Sequence, residues 1–318
     1  MASPLASLLE RRLLIVTGKG GVGKTTVATA LARVAAGRGL DTVVVEVTDP
    51  PTVPALLGAG AVATQREPQE LAPHLFWLRI DPLDALSEYL ELQLPVARVV
   101  RRVVRNAGFR RLLEAAPGWR ELITLGKLWY LETRVDAGRP RWDLLIVDAP
   151  ATGHGLSFLS VPTVVTDTVR LGPLRRHTEW VQQMLRDPAR TLVVPVTLPE
   201  ELPVKETLEL RERVRELGLA AGPLLANGVE PAPAIDAPER VLAALAALPE
   251  DAAAPLPPVS ELCQVLDHSL RRAALQRRFL GQLREDHGEA AFEIPLLPEG
   301  ADTERLAVEL ERALGGHA

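Results

Sequence analysis

The apolar run Leu13-Leu14-Ile15-Val16-Thr17 leads directly into Gly18-Lys19-Gly20-Gly21-Val22-Gly23-Lys24-Thr25. The spacing is Gly-x4-Gly-Lys-Ser/Thr. Its flanks predict a buried strand before it and a helix, Thr26 to Gly37, after it. No other stretch constrains the fold as tightly. A glycine-rich turn between strand and helix lets the backbone close around an anion. Its N–H groups turn inward, and the helix N-terminus adds partial positive charge.

Residue types assign roles within the loop. Gly18, Lys19, Gly20, Gly21, Val22 and Gly23 supply the cradle for a triphosphate. Lys24 pairs with β- and γ-phosphate oxygens, the Thr25 hydroxyl ligates Mg2+, and Thr26 bonds the α-phosphate. Lys19 is the sharper signal. The chain has four lysines (Lys19, Lys24, Lys127, Lys205) among 36 basic residues, so two of the four stand in one loop. Planar, bulky arginine does not replace a point-charge ammonium in a tight phosphate cradle. A lysine at this position resembles the signature of the deviant Walker A class, which includes MinD, ParA, the nitrogenase iron protein and the arsenical-pump ATPases. That resemblance implies two subunits meeting face to face, each lysine reaching the nucleotide of the other and neutralising charge on the transferred phosphoryl group.

Short apolar runs alternate with helical stretches. The expected strands are Leu13–Thr17, Thr42–Val47, Leu75–Ile80, Asp143–Asp148, Thr191–Val196, Leu224–Asn227 and Phe292–Leu296. Several are apolar at nearly every position, as in a parallel sheet covered on both faces. The expected fold is therefore α/β: a doubly wound, mostly parallel sheet of the P-loop NTPase kind, with ligands at the carboxyl ends of its strands. Residues 1–318 are read as one domain. Residues 82–138 are read as a wholly helical subdomain inserted within it, without strands. The Pro- and Ala-rich stretch 229–258 is read as a surface excursion with a short helix.

Composition narrows the function classes. A net charge of −5 argues against bulk nucleic-acid binding. The single cysteine, Cys263, excludes an internal disulfide. No apolar run reaches the ~18 residues of a membrane span, and residues 1–12 lack a signal-peptide core. A cytoplasmic chain is expected.

A phosphate cradle needs acidic partners. Asp148 ends the run Leu144-Leu145-Ile146-Val147, at the carboxyl end of a buried strand, where a carboxylate holds Mg2+ directly or through water. The continuation Ala149-Pro150-Ala151-Thr152-Gly153-His154-Gly155 is small enough to order around a γ-phosphate and relax afterwards. Asp49, in Thr48-Asp49-Pro50-Pro51, follows the second strand and is suited to orient or deprotonate the attacking water.

With these segments in hand, the chain resembles the family that includes the arsenical-pump ATPase and the eukaryotic ATPase targeting tail-anchored membrane proteins. Gly18–Thr26 is similar to its phosphate loop, Thr48-Asp49-Pro50 to its first switch, and Asp148 to Leu159 to its second. Ile80-Asp81-Pro82 with Glu88-Tyr89, Pro117-Gly118 with Glu121, and Pro199-Glu200-Glu201 with Glu206-Thr207 match further family segments in order. Asn227 matches the family's adenine-reading Asn. Pro295, in Ile294-Pro295-Leu296-Leu297-Pro298, matches a segment whose backbone borders the base. The resemblance implies a Mg2+-dependent, homodimeric ATPase that binds and releases a protein or hydrophobic client.

Departures from the family pattern matter too. Pro51-Thr52 stands where Ala-His is usual. The Cys-x-x-Cys of the targeting factor is absent near 265–270, and one cysteine is too few for zinc bridging or for trivalent arsenic. Methionine-rich client helices are also absent, since only Met1 and Met184 occur. The apolar residues of 82–138 (among them Leu86, Leu125, Leu128, Trp129 and Leu131) are read as core more than groove. Arg98, Arg101, Arg102 and Arg105 fall on one helix face opposite Val96, Val99, Val100 and Val103. That face is read as solvated, with peripheral contact to anionic lipid as the sharper alternative. Two other functions stay open: a MinD/ParA-like positioning switch on membrane or DNA, and an arsenite-pump subunit, which the cysteine count disfavours.

Overall fold

In the computed structural model, which describes residues 5–48, 50–60, 66–93, 102–104, 106–231, 237–250, 257–287, 291–297 and 302–314, the apolar runs pair side by side. The strands are Leu13–Thr17 (β1), Thr42–Glu46 (β2), Gln69–Ala72 (β3), Leu75–Arg79 (β4), Val135–Asp136 (β5), Arg139–Pro140 (β6), Leu144–Asp148 (β7), Thr191–Thr197 (β8), Leu225–Val229 (β9) and Phe292–Pro295 (β10). The helices are Ala6–Leu9 (α1), Lys24–Gly37 (α2), Val53–Leu56 (α3), Pro82–Gln93 (α4), Ala107–Glu114 (α5), Trp119–Thr133 (α6), Thr152–Thr168 (α7), Pro173–Arg186 (α8), Glu201–Glu216 (α9), Pro238–Ala246 (α10), Val259–His287 (α11) and Thr303–Ala313 (α12).

One eight-stranded sheet runs β10-β9-β8-β1-β7-β2-β4-β3. Every neighbour pair is parallel except β3 with β4. The order follows from burial. β1, β2, β7 and β8 are buried at every position, and successive side chains point to opposite faces. Leu14, Val16, Val44 and Ile146 therefore enter one core with α2, Trp77 and the Leu306/Leu310 stripe of α12. Leu13, Ile15, Val43, Val45 and Val147 enter the other with Leu125, Leu128 and Leu131 of α6 and with Val181 and Met184 of α8. Each such side chain contributes roughly 1.5–3 kcal/mol by leaving water, so both faces need a helical cover.

The chain passes β1, β2, β4 and then returns, so that β7 is inserted between β1 and β2. The carboxyl ends of β1, β7 and β2 thereby lie side by side. Glu46 of β2 and Asp148 of β7 are register partners, and Asp148 is also paired with Val16.

All seven expected strands are present, with ends shifted by one or two residues. Two features differ. β3 was not foreseen: it is an antiparallel edge strand reading Gln-Glu-Leu-Ala, half exposed and hence without an apolar run. Residues 82–138 are not free of strand, because β5 falls inside them and forms a two-residue hairpin with β6 around Ala137-Gly138, both at positive φ. The long helix α11 also carried no clear signal, its residues being mostly polar.

Candidate nucleotide site at the carboxyl rim

The loop after β1 is held by its neighbours. Gly18 has φ +155, and a Cβ there would lie 2.1 Å from the Val196 carbonyl oxygen of β8. Val22 is fully buried and roots the loop in the core below it. Gly23, at φ +86, caps α2, and a Cβ there would lie 2.3 Å from Asn227 Nδ2. That amide donates to the Val22 carbonyl at 2.9 Å. Asn227 is thus spent in part on pinning the loop, a role beyond the base contact expected of it.

Three groups expected at the loop, Lys24, Thr25 and Asp148, lie together. Thr25 Oγ1 donates to Asp148 Oδ2 at 2.6 Å, and Lys24 Nζ donates to the Lys19 carbonyl at 2.9 Å. Burial lowers the Lys24 ammonium from its ordinary value, with the nearby Asp148 charge opposing. Asp148 is 2% exposed. Burial raises its carboxyl to about 6; Thr25 and Lys24 pull it down, and the Glu46 charge pushes it up. Asp148 Oδ1 is buried and has no hydrogen-bond partner. An orphaned carboxylate oxygen beside a threonine hydroxyl fits a hard cation. No group of three or more His, Cys, Asp or Glu among the described residues forms a metal cage. That fits Mg2+, which takes one or two protein ligands and completes its shell with water and phosphate.

Lys19 is half-buried, and its ammonium pairs with Glu206 Oε1 of α9 at 2.8 Å. Asp49 lies outside the described residues, as do Arg98, Arg101, Arg105 and Pro298. Arg102 is exposed and Val104 buried, but Val103 is 43% exposed, so it does not belong to the covered side of that segment.

Beside the loop lies a cavity of about 240 Å³, lined by Gly21, Gly23, Thr26, Asn227 and Pro295 among others. An apolar cavity of ~150 Å³ admits benzene, so this one has the volume a purine needs. Among the lining residues that the sequence reading missed are Arg272 and Gln276 of α11. Gln276 accepts from Glu230 N–H and donates to the Gly228 carbonyl, fixing the strand end that carries Asn227. A glutamine in a polar helix gives no signal for that. Glu46 was missed as well, although a lone acid ending a run of valines was visible.

A second cavity, about 140 Å³, opens among α4, α6 and α8. Its walls are Tyr89, Leu92, Leu122, Ile123, Trp129 and Leu174 with their neighbours. Its polar groups satisfy one another: Lys127 with Glu88 at 2.7 Å, and Tyr89 with His177 at 2.6 Å. Burial lowers His177, with Arg176 adding to the effect.

The sequence profile of the anion-transporting ATPase family matches residues 11–176, just over half of the chain. The ATPase BagA of Mycobacterium tuberculosis is 34% identical over 225 residues, covering 70% of this chain and 66% of that protein. The arsenical pump-driving ATPase of Acidiphilium multivorum is 29% identical over 69% of this chain and 39% of its own length. The ASNA1 homolog of Entamoeba histolytica is 24% identical, over 87% of this chain and 85% of its own. The match thus spans just under two thirds of the mycobacterial relative and well under half of the arsenical one. The profile match spans the glycine loop and Asp148, and on it and on the mycobacterial relative the chain belongs to the anion-transporting ATPase family, a family of ATP hydrolases.

Proposed function

We propose that the chain hydrolyses ATP with Mg2+ and does so as a nucleotide-closed homodimer that takes up and releases an apolar client. One observation carries the catalytic part: a buried Asp148 oxygen without a partner, next to Thr25 and Lys24 on a loop shaped for phosphates.

The residues divide the work. Loop N–H groups and Lys24 hold the phosphates, and the purine rests between Asn227 and Pro295. Thr25 and Asp148 would hold Mg2+, which supplies neutralisation of phosphate charge when bound. Asp49 orients the attacking water. Lys19 serves the partner's nucleotide, and for that it must leave Glu206. The ion pair is about one-third exposed on both sides, so breaking it costs roughly 0–1 kcal/mol. A partner's triphosphate offers a larger charge in a drier site, so the exchange favours pairing.

The α4–α6–α8 cavity supports the client part. With Lys127 paired to Glu88 and Tyr89 to His177, it offers a ligand mainly apolar surface. Gly118, at the start of α6, also lies against α7 of the second switch: a Cβ on it would sit 3.1 Å from Val161. Movement of α7 therefore reaches the cavity wall.

A Lys19→Ala variant tests the reading. Phosphate release should fall by at least about a hundredfold, ATP-dependent pairing in light scattering should vanish, and so should any ATP-dependent change in fluorescence of an apolar dye held in the cavity. Unchanged turnover with unchanged pairing would reduce the chain to an ordinary monomeric phosphate-loop enzyme.

A further inference from the structure

Glu46 ends β2 and is fully buried, with 0% of its surface exposed. A buried carboxylate is costly unless its oxygens are satisfied. Here each oxygen takes two donors. Oε1 accepts from the Thr52 backbone N–H at 2.7 Å and the Thr52 hydroxyl at 3.1 Å. Oε2 accepts from the Trp77 indole N–H at 2.6 Å and the Val53 N–H at 3.2 Å.

The identity of those donors matters. Trp77 is a fixed point of the core, on β4 and wholly buried. The other three donors belong to the far end of the loop that starts one residue after Glu46. One side chain therefore joins the beginning of the loop to its end. Thr52, which caps α3, makes no capping bond with its own side chain. Its hydroxyl turns to Glu46 instead, so the cap of α3 comes from a different element. An ordinary Ser or Asp cap reaches the N–H groups of the second and third helical residues; Glu46 instead takes those of Thr52 and Val53, which such a cap leaves open. The tether also stands at the rim: Glu46 and Asp148 are register partners on adjacent strands.

We propose that Glu46 is a positioning residue for turnover. It holds Thr52 and Val53, at the start of α3, to the carboxyl end of β2 next to Asp148. Thr52 is its counterpart on the loop, in the place where the family pattern has histidine. The inference rests on the ATP-hydrolysis reading above, in which Asp49 of this loop handles the attacking water. The phosphates are held on β1 and α2, so binding does not need the tether.

Three variants of the full chain separate this role from mere packing, assayed by steady-state ATP hydrolysis well below the unfolding midpoint and by ADP titration. Glu46→Gln places an amide N–H₂ against two donors and should lower kcat about a hundredfold, the scale of a small misplacement. KM and ADP affinity should stay within about twofold. Thr52→Val removes only the loop-side hydroxyl and should lower kcat severalfold. Trp77→Phe removes the core-side donor of the same tether and should lower the unfolding midpoint and, severalfold, kcat. The inference is overturned if Glu46→Gln keeps its kcat or if nucleotide affinity falls in step with kcat. Asp49→Asn serves as the control. If it keeps full turnover while Glu46→Gln loses it, Asp49 leaves the water-handling role and the tether stands.

Discussion

Two buried carboxylates, one at each rim of the sheet, are satisfied in opposite ways. At the amino rim, Glu132 of α6 is 4% exposed at its side chain and takes the Arg190 guanidinium with both oxygens, at 3.1 and 2.5 Å, with Arg12 at 3.7 Å. Arg12 also donates to the carbonyls of Trp142 and Glu132, at 2.5 and 2.8 Å. Those bonds tie the starts of β1, β7 and β8 to the end of α6. At the carboxyl rim, Asp148 has one oxygen on Thr25 and the other on nothing. Completed pairs hold strands in register and do no chemistry. An incomplete pair stores a misfit that a ligand can relieve, and the raised Asp148 carboxyl reflects it.

Asp148→Asn gives the largest test of this contrast. Losing the charge should lower turnover about 10²- to 10³-fold, the scale of one electrostatic group at a reacting centre. The nucleotide-free fold should gain stability, since the buried charge is removed. A rise from 3.8 to about 6 sets an upper bound of about 3 kcal/mol, and the unpaired amide, costing about 1–3 kcal/mol, brings the expected gain to roughly 0–2 kcal/mol. The sign follows from the direction of the shift. The native carboxyl binds its proton more tightly than the unfolded one, so the burden is full above pH 6 and fades as pH falls from 6 towards 4. Thermal unfolding of parent and variant at pH 8 and pH 4.5 should show the gain at the first and little at the second. A variant less stable at pH 8 would mean that Asp148 is a completed pair like Glu132, and the contrast would fail.

Glu132→Gln should do the reverse. Breaking a buried pair costs about 3–5 kcal/mol. Both guanidiniums keep some access to water, so about 3 kcal/mol is expected in urea unfolding, with turnover per folded molecule within twofold. A large loss of turnover without loss of stability would place the amino rim in the catalytic apparatus.

How much of this could be read from the chain depended on how local each feature is. β1, β2, β7 and β8 were legible because burial on both faces leaves an unbroken apolar run. β3 was not, because an edge strand needs no such run. The cradle was legible because its glycines and lysines are consecutive. The Glu132–Arg12–Arg190 cluster and the Glu46–Thr52–Trp77 tether were not, since each joins residues that only the fold brings together. Asn227 falls between: its place at the carboxyl rim beside the loop was readable, but its bond to Val22 was not.

The smallest expected effect concerns Glu206, which stands where the carboxyl rim meets α9. Its pairing with Lys19 is half-solvated, so it adds little to stability, roughly 0–1 kcal/mol. Glu206→Gln should leave the urea midpoint almost unchanged. On the proposed pairing, its effect should appear in assembly, because a Lys19 released from Glu206 would reach a partner's nucleotide more readily. ATP-dependent pairing should need up to about fivefold less protein, and the difference should shrink as salt screens the pair. If Glu206→Gln weakens pairing instead, Glu206 itself faces the partner, and the working rim extends from the strand ends onto α9. If it lowers turnover at saturating protein, Glu206 acts on Lys19 within the closed dimer, and the pair seen in the single chain persists there instead of giving way.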